Sequence, residues 1–400
     1  MLTGQDIIYF GDNWDGVWRN RQQLLSIFAR QNKVLFVEKD RHLGPTLARF
    51  RRGELGLSDL HRSSIRHISD NLFVFRHPVW APASGRFPLK QFTQKVRWIS
   101  LTRAIKRLQI SQPIVWYYHP KWLDMVARFS RARLRLYHVI DEYTSYQGKT
   151  QARRRLEAEL EKKMLAQVDA VFVVSEKLHE AKHPFNNNTY LVPNGVNYQM
   201  YSKALATPDL PPELQTIPPP RLGYSGLIGD KLNLDMLQDL AQRNPNWSLV
   251  FLGPVNVARQ AETWQTLQAM SNVYYLGSVG VTLVPHYVKG FHVGLMPYLQ
   301  DRHSETISPL KLYDYLAAGL PVASIDIPAA REFSSCIHLA SHPQNFSQAV
   351  QAALADTTPE RHQARRDLAA QHTWEARVEQ MSELIQVMLD KKFGKDFDWK

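Results

Sequence analysis

The chain of 400 residues holds one cysteine, Cys336. That excludes a disulfide framework and any cysteine-based zinc site, and it fits a reducing compartment. No run approaches the roughly 20 apolar residues that span a bilayer. The opening stretch, MLTGQDIIYFGDNWDG, has no basic segment followed by a long apolar core, so no signal peptide is read from it. A G-x-G-x-x-G fingerprint is missing, which leaves a dinucleotide cofactor without support. No D-x-D stands at a strand-end loop where it could hold a catalytic divalent metal, so no metal is expected. Internal repeats and long low-complexity runs are lacking as well.

What is present is globular: 44% apolar residues and 10 tryptophans, enough for two or three domains with large cores. The net charge of +12 is unevenly spread. Residues 1–200 carry 32 Lys/Arg against 17 Asp/Glu, whereas residues 201–400 carry 17 against 20. Two domains with different partners would look like this. The basic half suits nucleic acid, an anionic membrane or an acidic substrate; no nucleic-acid motif accompanies it, so no nucleic-acid partner is expected.

Apolar runs at Ile7–Phe10, Val34–Val37, Pro113–Tyr118, Leu134–Ile140 and Ala170–Val174 read as buried strands separated by helical periodicity. This is βαβ organisation, with a parallel sheet and ligands at the strand C-terminal ends. His119, Asp141 and Glu142 stand at such ends, where a catalytic group would. For Asp141 a helix cap or loop salt bridge is the plain alternative. Gly11 follows the first strand and either admits a substrate or only turns the chain. Residues 41–70 are basic, with little periodicity, and read as an insertion. Leu89, Phe92, Val96 and Ile99 form a helical stripe that drifts to Trp98, Leu101, Ile105 and Leu108. Lys90, Lys95, Arg97, Arg103, Lys106 and Arg107 fill the other faces. Such a helix suits an anionic membrane surface; a core-packed helix with a solvated basic face has the same pattern. The charge of the whole half tips the reading towards membrane.

Asn194-Gly195 is a turn signal, and TPDLPPELQTIPPP, with six prolines over residues 207–220, cannot form a core helix or strand. A second sheet follows, with strands at Leu222–Ser225, Trp247–Leu252, Val273–Leu276 and Phe291–Met296. After its last polar loop comes SPLKLYDYLAAGLPV, residues 308–322. Pro309 suits a first helical turn, Leu310, Leu312, Tyr313 and Leu316 give the apolar positions, and Gly319 with Pro321 ends the helix. Free amides at the helix start, with Lys311 beside them, form a natural pyrophosphate site. Asp314, one turn on, can reach a ribose hydroxyl.

That run, with YSG at 224–226 and VPNGV at 192–196, resembles the nucleotide-sugar glycosyltransferases of the GT-B fold. The likeness is to the bacterial group 1 transferases and the glucuronosyltransferases of surface-polysaccharide assembly. It implies an α/β protein with two Rossmann-like, doubly wound parallel-sheet domains facing each other across a cleft. The expected division is 1–203 for the acceptor- and membrane-facing domain, 204–220 for a linker, 221–371 for the donor domain, and 372–400 for a helix returning to the first domain. Gly226, Glu305, Ser308, Pro309, Leu310, Lys311 and Asp314 would bind the donor, a UDP-sugar by preference, and Asp141, or else His119, would serve as the base. No cofactor beyond the nucleotide-sugar co-substrate is implied. The acceptor would be a lipid-linked glycan or polysaccharide, met by a peripheral protein on the cytoplasmic membrane face. The chain departs from the retaining members in one respect: of two glutamates separated by seven residues, Asp314 takes the second place and Thr306, beside Glu305, the first. His292 also stands where an aspartate often precedes Val-Gly-Leu. A non-catalytic subunit of the same fold, or a nucleotide-sugar epimerase, remains as the alternative function.

Overall fold

The computed structural model describes residues 1–16, 18–40, 42–54, 56, 64–83, 88–143 and 150–394. Its N-terminal half is built on eight strands: β1 (Asp6–Phe10), β2 (Lys33–Val37), β3 (Ile65–Ser69), β4 (Leu72–Phe75), β5 (Ile114–Tyr117), β6 (Leu134–Val139), β7 (Ala170–Val173) and β8 (Thr189–Leu191). Their order is β3-β4-β2-β1-β5-β6-β7-β8, parallel except where β3 runs against β4. Strands with residues such as Val34, Leu35, Phe36 and Val37 all buried need cover on both faces. The helices supply it.

The C-terminal half holds β9 (Arg221–Ser225), β10 (Ile228–Gly229), β11 (Ser248–Leu252), β12 (Val255–Asn256), β13 (Val273–Tyr275), β14 (Val293–Met296), β15 (Val322–Ile325) and β16 (His338–Ala340). Six of these form a parallel sheet in the order β13-β11-β9-β14-β15-β16, with β10 and β12 paired separately. Each half therefore has its own doubly wound sheet and its own core. The two cores are separate apolar clusters.

Three features depart from the sequence reading. The insertion at 41–70 carries a helix, Leu43–Arg51, and β3; residues 41, 55 and 57–63 lie outside the described residues. The proline-rich stretch is no free tether. Leu214 and Ile217 are buried in the C-terminal core with Tyr201, and the Arg221 guanidinium donates to the carbonyls of Leu214 and Ile217. The chain crosses between domains earlier, at Val196, whose N–H donates to the His372 carbonyl at 2.9 Å while the Trp374 N–H donates back at 3.1 Å. The second crossing thus lies against the first. From there the helix Trp374–Phe393 lays Trp374, Val378, Met381, Ile385 and Leu389 into the N-terminal core. Burial of five such side chains contributes on the order of 10 kcal/mol, enough to fix that helix to its domain. This helix, expected over 372–400, runs to Phe393, and residues 395–400 lie outside the described set.

Candidate active site

Lys311 sits in the first turn of the helix Leu310–Ala317, between β14 and β15. Only 7% of it is exposed. Its Nζ donates to the Tyr298 hydroxyl at 2.9 Å and lies 4.8 Å from the centre of the Tyr224 ring. Burial pushes its pKa down to about 8, against the opposing pull of Asp314. Beneath it runs the loop after β9. Gly226 has φ +137°, and a Cβ there would lie 3.3 Å from the Lys311 Nζ, so glycine lets the backbone close on the amine.

A second lysine meets the first. Lys231, five residues beyond Gly226, has its Nζ 5.7 Å from the centre of the Tyr298 ring. Burial lowers its pKa, the charge of Lys311 lowers it further, and Asp141 across the cleft pulls it up. Arg19, from the N-terminal domain, acts on it as well. Two lysines thus lie over Tyr298, and the charges of Asp141 and Arg19 from the N-terminal domain act on one of them. Sequence reasoning missed Lys231 and Arg19; the cation just past a glycine loop was the available signal for the first, and nothing marked the second.

The other expected donor residues are placed unevenly. Asp314 accepts a hydrogen bond from the Tyr201 hydroxyl, and burial raises its pKa to about 6. It lines a cleft with Leu310, Val281, Val284 and the N-terminal residues Trp18 and Arg19. Pro309 is the helix cap rather than a first-turn residue. Ser308 is engaged elsewhere: its Oγ accepts from the Asn194 N–H at 3.3 Å and its carbonyl from the Asn194 side chain at 2.7 Å. Glu305 is exposed, and its charge acts on Lys177 of the N-terminal domain. The Thr306 carbonyl accepts from the Ser175 hydroxyl at 2.7 Å. Thr306 and Ser308 therefore make hydrogen bonds that tie this loop to the N-terminal domain. His292 uses Nδ1 to accept the Arg221 N–H at 3.0 Å, a structural role.

On the N-terminal side, Asp141 follows β6 and faces Lys231 electrostatically. His119 follows β5; its Nδ1 accepts the Lys121 N–H at 3.1 Å, and its ring lies 4.4 Å from that of Tyr143. In the neutral ring that lone pair is spoken for, which makes His119 the poorer base. Glu142 is drawn into a buried cluster, with the Lys182 Nζ 2.7 Å from Glu142 and 2.8 Å from Glu161. Residues 144–149 are outside the described residues. Gly11 has a packing role. A Cβ there would lie 2.2 Å from the Phe36 ring, so the glycine makes room for a core side chain.

The helix Leu89–Arg107 turns Thr93, Leu101 and Ala104 to the core. Phe92 (62% exposed) and Ile99 face outward with Lys90, Lys95, Arg103, Lys106 and Arg107. Arg97 and Trp98 do not belong to that face. Arg97 pairs with Asp40 at 2.6 Å, and Trp98 packs on Phe129 beneath the Arg128 guanidinium. Both fall on the core side of a 3.6-residue repeat. Among the described residues no helix is long and apolar enough to cross a membrane.

Two Rossmann-like domains facing each other, with Lys311 buried and Lys231 half-buried at the strand ends of the second, define a GT-B protein. Residues 222–356, within the C-terminal half, match the sequence model of the glycosyl transferases group 1 family. TuaH of Bacillus subtilis (strain 168), whose name assigns it provisionally to teichuronic acid biosynthesis as a glycosyltransferase, is 28% identical over 231 residues. That match spans 56% of this chain and 58% of TuaH, little more than half of either. Among solved structures, sucrose-phosphate synthase from Thermosynechococcus elongatus superposes with a TM-score of 0.70 at 17% identity, over 97% of this chain and 100% of that one. Anabaena HepE in complex with UDP and glucose gives 0.65 at 14%, over 95% and 99%. WaaG, a glycosyltransferase involved in lipopolysaccharide biosynthesis, gives 0.60 at 13%, over 95% and 99%. Likeness at these identities establishes the fold.

Proposed function

We propose that the protein is a glycosyltransferase of surface-polysaccharide assembly, moving a sugar from a nucleoside diphosphate sugar, UDP-linked by preference, to a lipid-linked or polysaccharide acceptor. The observation that carries this is the Lys231–Lys311 pair over Tyr298, facing Asp141. Two ammonium groups held close by tyrosine rings are disfavoured charges, and a diphosphate relieves both. As the bond from sugar to phosphate breaks, negative charge grows on the leaving oxygen, and the lysines with the amides of the Leu310–Ala317 helix stabilise it. Asp141, on the acceptor side, would take the proton from the attacking hydroxyl. The mechanism needs no metal in this form. Lys311 next to Gly226 and the match of the donor domain to a transferase family favour transfer over epimerisation or simple binding.

The exposed face of the Leu89–Arg107 helix, Phe92 and Ile99 among five cations, supports a peripheral position on the anionic cytoplasmic face of a membrane. A lipid-linked acceptor would be met there.

The test of the donor site is thermal unfolding with UDP, GDP and ADP on the wild type, Lys231→Ala and Lys311→Ala. A ligand at about a hundred times its Kd stabilises by roughly 2.7 kcal/mol, several degrees for an ordinary domain. The expected result is a shift with UDP that both variants lose. No shift with any diphosphate would remove the donor-site reading and leave the fold alone.

A further inference from the structure

The parallel strands β2, β1, β5 and β6 are neighbours, so the residues that follow them collect on one edge of the sheet. Asp141 follows β6. Around the ends of the other three lies a cluster that donor chemistry does not use. Asp12, just past β1, is approached by Arg21 at 3.7 Å, Lys39 at 3.8 Å and Lys121 at 3.4 Å. One carboxylate thus serves three cations, and a hydrogen bond from the Tyr118 hydroxyl, with Lys121, Arg21 and Lys39, holds its pKa down against burial. The other carboxylate acting on Lys121, Asp40, is already committed to Arg97 at 2.6 Å and faces His77 at 3.4 Å.

Arg21 is the second observation. It is 4% exposed, yet its Nε and Nη1 have no hydrogen-bond partner among the described residues. Its guanidinium lies 5.4 Å from the centre of the Tyr118 ring, and the Lys121 amine 5.2 Å from the same ring. Arg21 also sits in the first turn of the helix Asn20–Phe28, which has no acidic residue there. A cation placed against the positive end of a helix is an unfavourable choice for stability alone. An anion would satisfy the helix end, the guanidinium and the two lysines at once.

We infer that Arg21, Lys39 and Lys121 form an acceptor subsite for an anionic group, phosphate or carboxylate, carried by the sugar or lipid that receives the transferred residue. The inference rests on the transferase reading and deepens it by naming the acceptor class. β1 stands two strands from β6, so the subsite lies about 10 Å from Asp141. The anionic group would therefore be separated from the reacting hydroxyl by about the length of one or two sugar rings. Nucleophilic attack itself is unchanged; the subsite holds the acceptor and sets which hydroxyl reaches Asp141.

The experiment is calorimetric titration of the UDP-loaded protein with glucose, glucose 6-phosphate, glucuronate and inorganic phosphate. Three proteins are compared: wild type, Lys39→Gln/Lys121→Gln and Asp12→Asn. The wild type should bind at least one of the sugar anions ten-fold or more tightly than glucose. The double variant should lose that preference, and Asp12→Asn, which removes the competing carboxylate, should strengthen it. These opposite signs separate an anion site from a merely misfolded variant. A preference for glucose 6-phosphate points to a phosphate source, and one for glucuronate to a uronic acid. Equal affinity for glucose and both anions, or binding of inorganic phosphate alone, overturns the inference. UDP affinity, set by Lys231 and Lys311, is the control. If UDP fails to bind while the sugar anions bind through Lys39 and Lys121, the donor reading falls and the anion subsite stands.

Discussion

Lys311 has an ordinary neighbour set for a core lysine, two tyrosine rings and a glycine loop, and it gains its meaning from being charged there. Its pKa in the folded chain is lowered to about 8, while the unfolded chain has the ordinary value near 10.4. The folded state therefore carries a penalty below pH 8 that is relieved as pH rises through that value, the reverse of a stabilising ion pair. Binding a diphosphate requires the protonated amine, so binding draws a proton in above pH 8. We expect UDP affinity to be level from pH 6 to 7.5 and to fall by about tenfold per pH unit above 8. Lys311→Arg should flatten that profile, because its charge does not titrate in the range. Calorimetry at pH 6 to 9.5 reads the difference; a wild-type profile without the fall would mean that Lys311 does not touch the diphosphate.

At the scale of elements, the helix Leu89–Arg107 shows how one pattern serves two surfaces. Its inward face is held by Leu101, Ala104, the Arg97–Asp40 pair and Trp98, and its outward face mixes two apolar side chains with cations. Each cation close to an anionic membrane contributes about 1 kcal/mol. Replacing Lys95, Arg103 and Lys106 together by Gln should weaken sedimentation with phosphatidylserine-containing vesicles by about 3 kcal/mol, a hundred-fold effect, and leave UDP binding as it is. Wild-type binding should also drop as salt rises. Equal sedimentation of wild type and variant would confine the helix to a packing role.

For the whole molecule, the telling place is where the two crossings meet. A Cβ on Gly195 would lie 2.9 Å from the Thr373 carbonyl carbon and 3.0 Å from the His372 oxygen. All are backbone atoms and cannot swing aside. Gly195→Ala should therefore push the crossings apart, costing about 1–3 kcal/mol and lowering the unfolding midpoint by several degrees. The donor lysines lie within one domain, so UDP affinity should persist while transfer, which needs both domains, declines. A variant with unchanged melting and unchanged turnover would show that the paired crossings do not set the domain geometry.

Sequence alone determined the alternation of strands and helices in both halves, because buried parallel strands must be continuous apolar runs and their covering helices must be amphipathic. It also marked Lys311 and Gly226 as candidates, since a polar lysine in an apolar helix and a glycine after a strand are visible in one dimension. Tertiary structure decided the rest. Lys231, Arg19 and Asp141 come from three distant stretches, and their charges act on one another only when the two sheets face each other. Ser308 looks like a donor residue in the run of letters, and the fold adds hydrogen bonds from Asn194 that no window of sequence announces. The proline-rich stretch reads as a tether because proline cannot join a ladder, but Leu214 and Ile217 find the second core and pack against it. Trp98 and Arg97 shared a basic helix with exposed neighbours until its phase against the sheet turned them inward. Local pattern fixes what each segment can become; which side chains meet depends on long-range packing that no window of sequence contains.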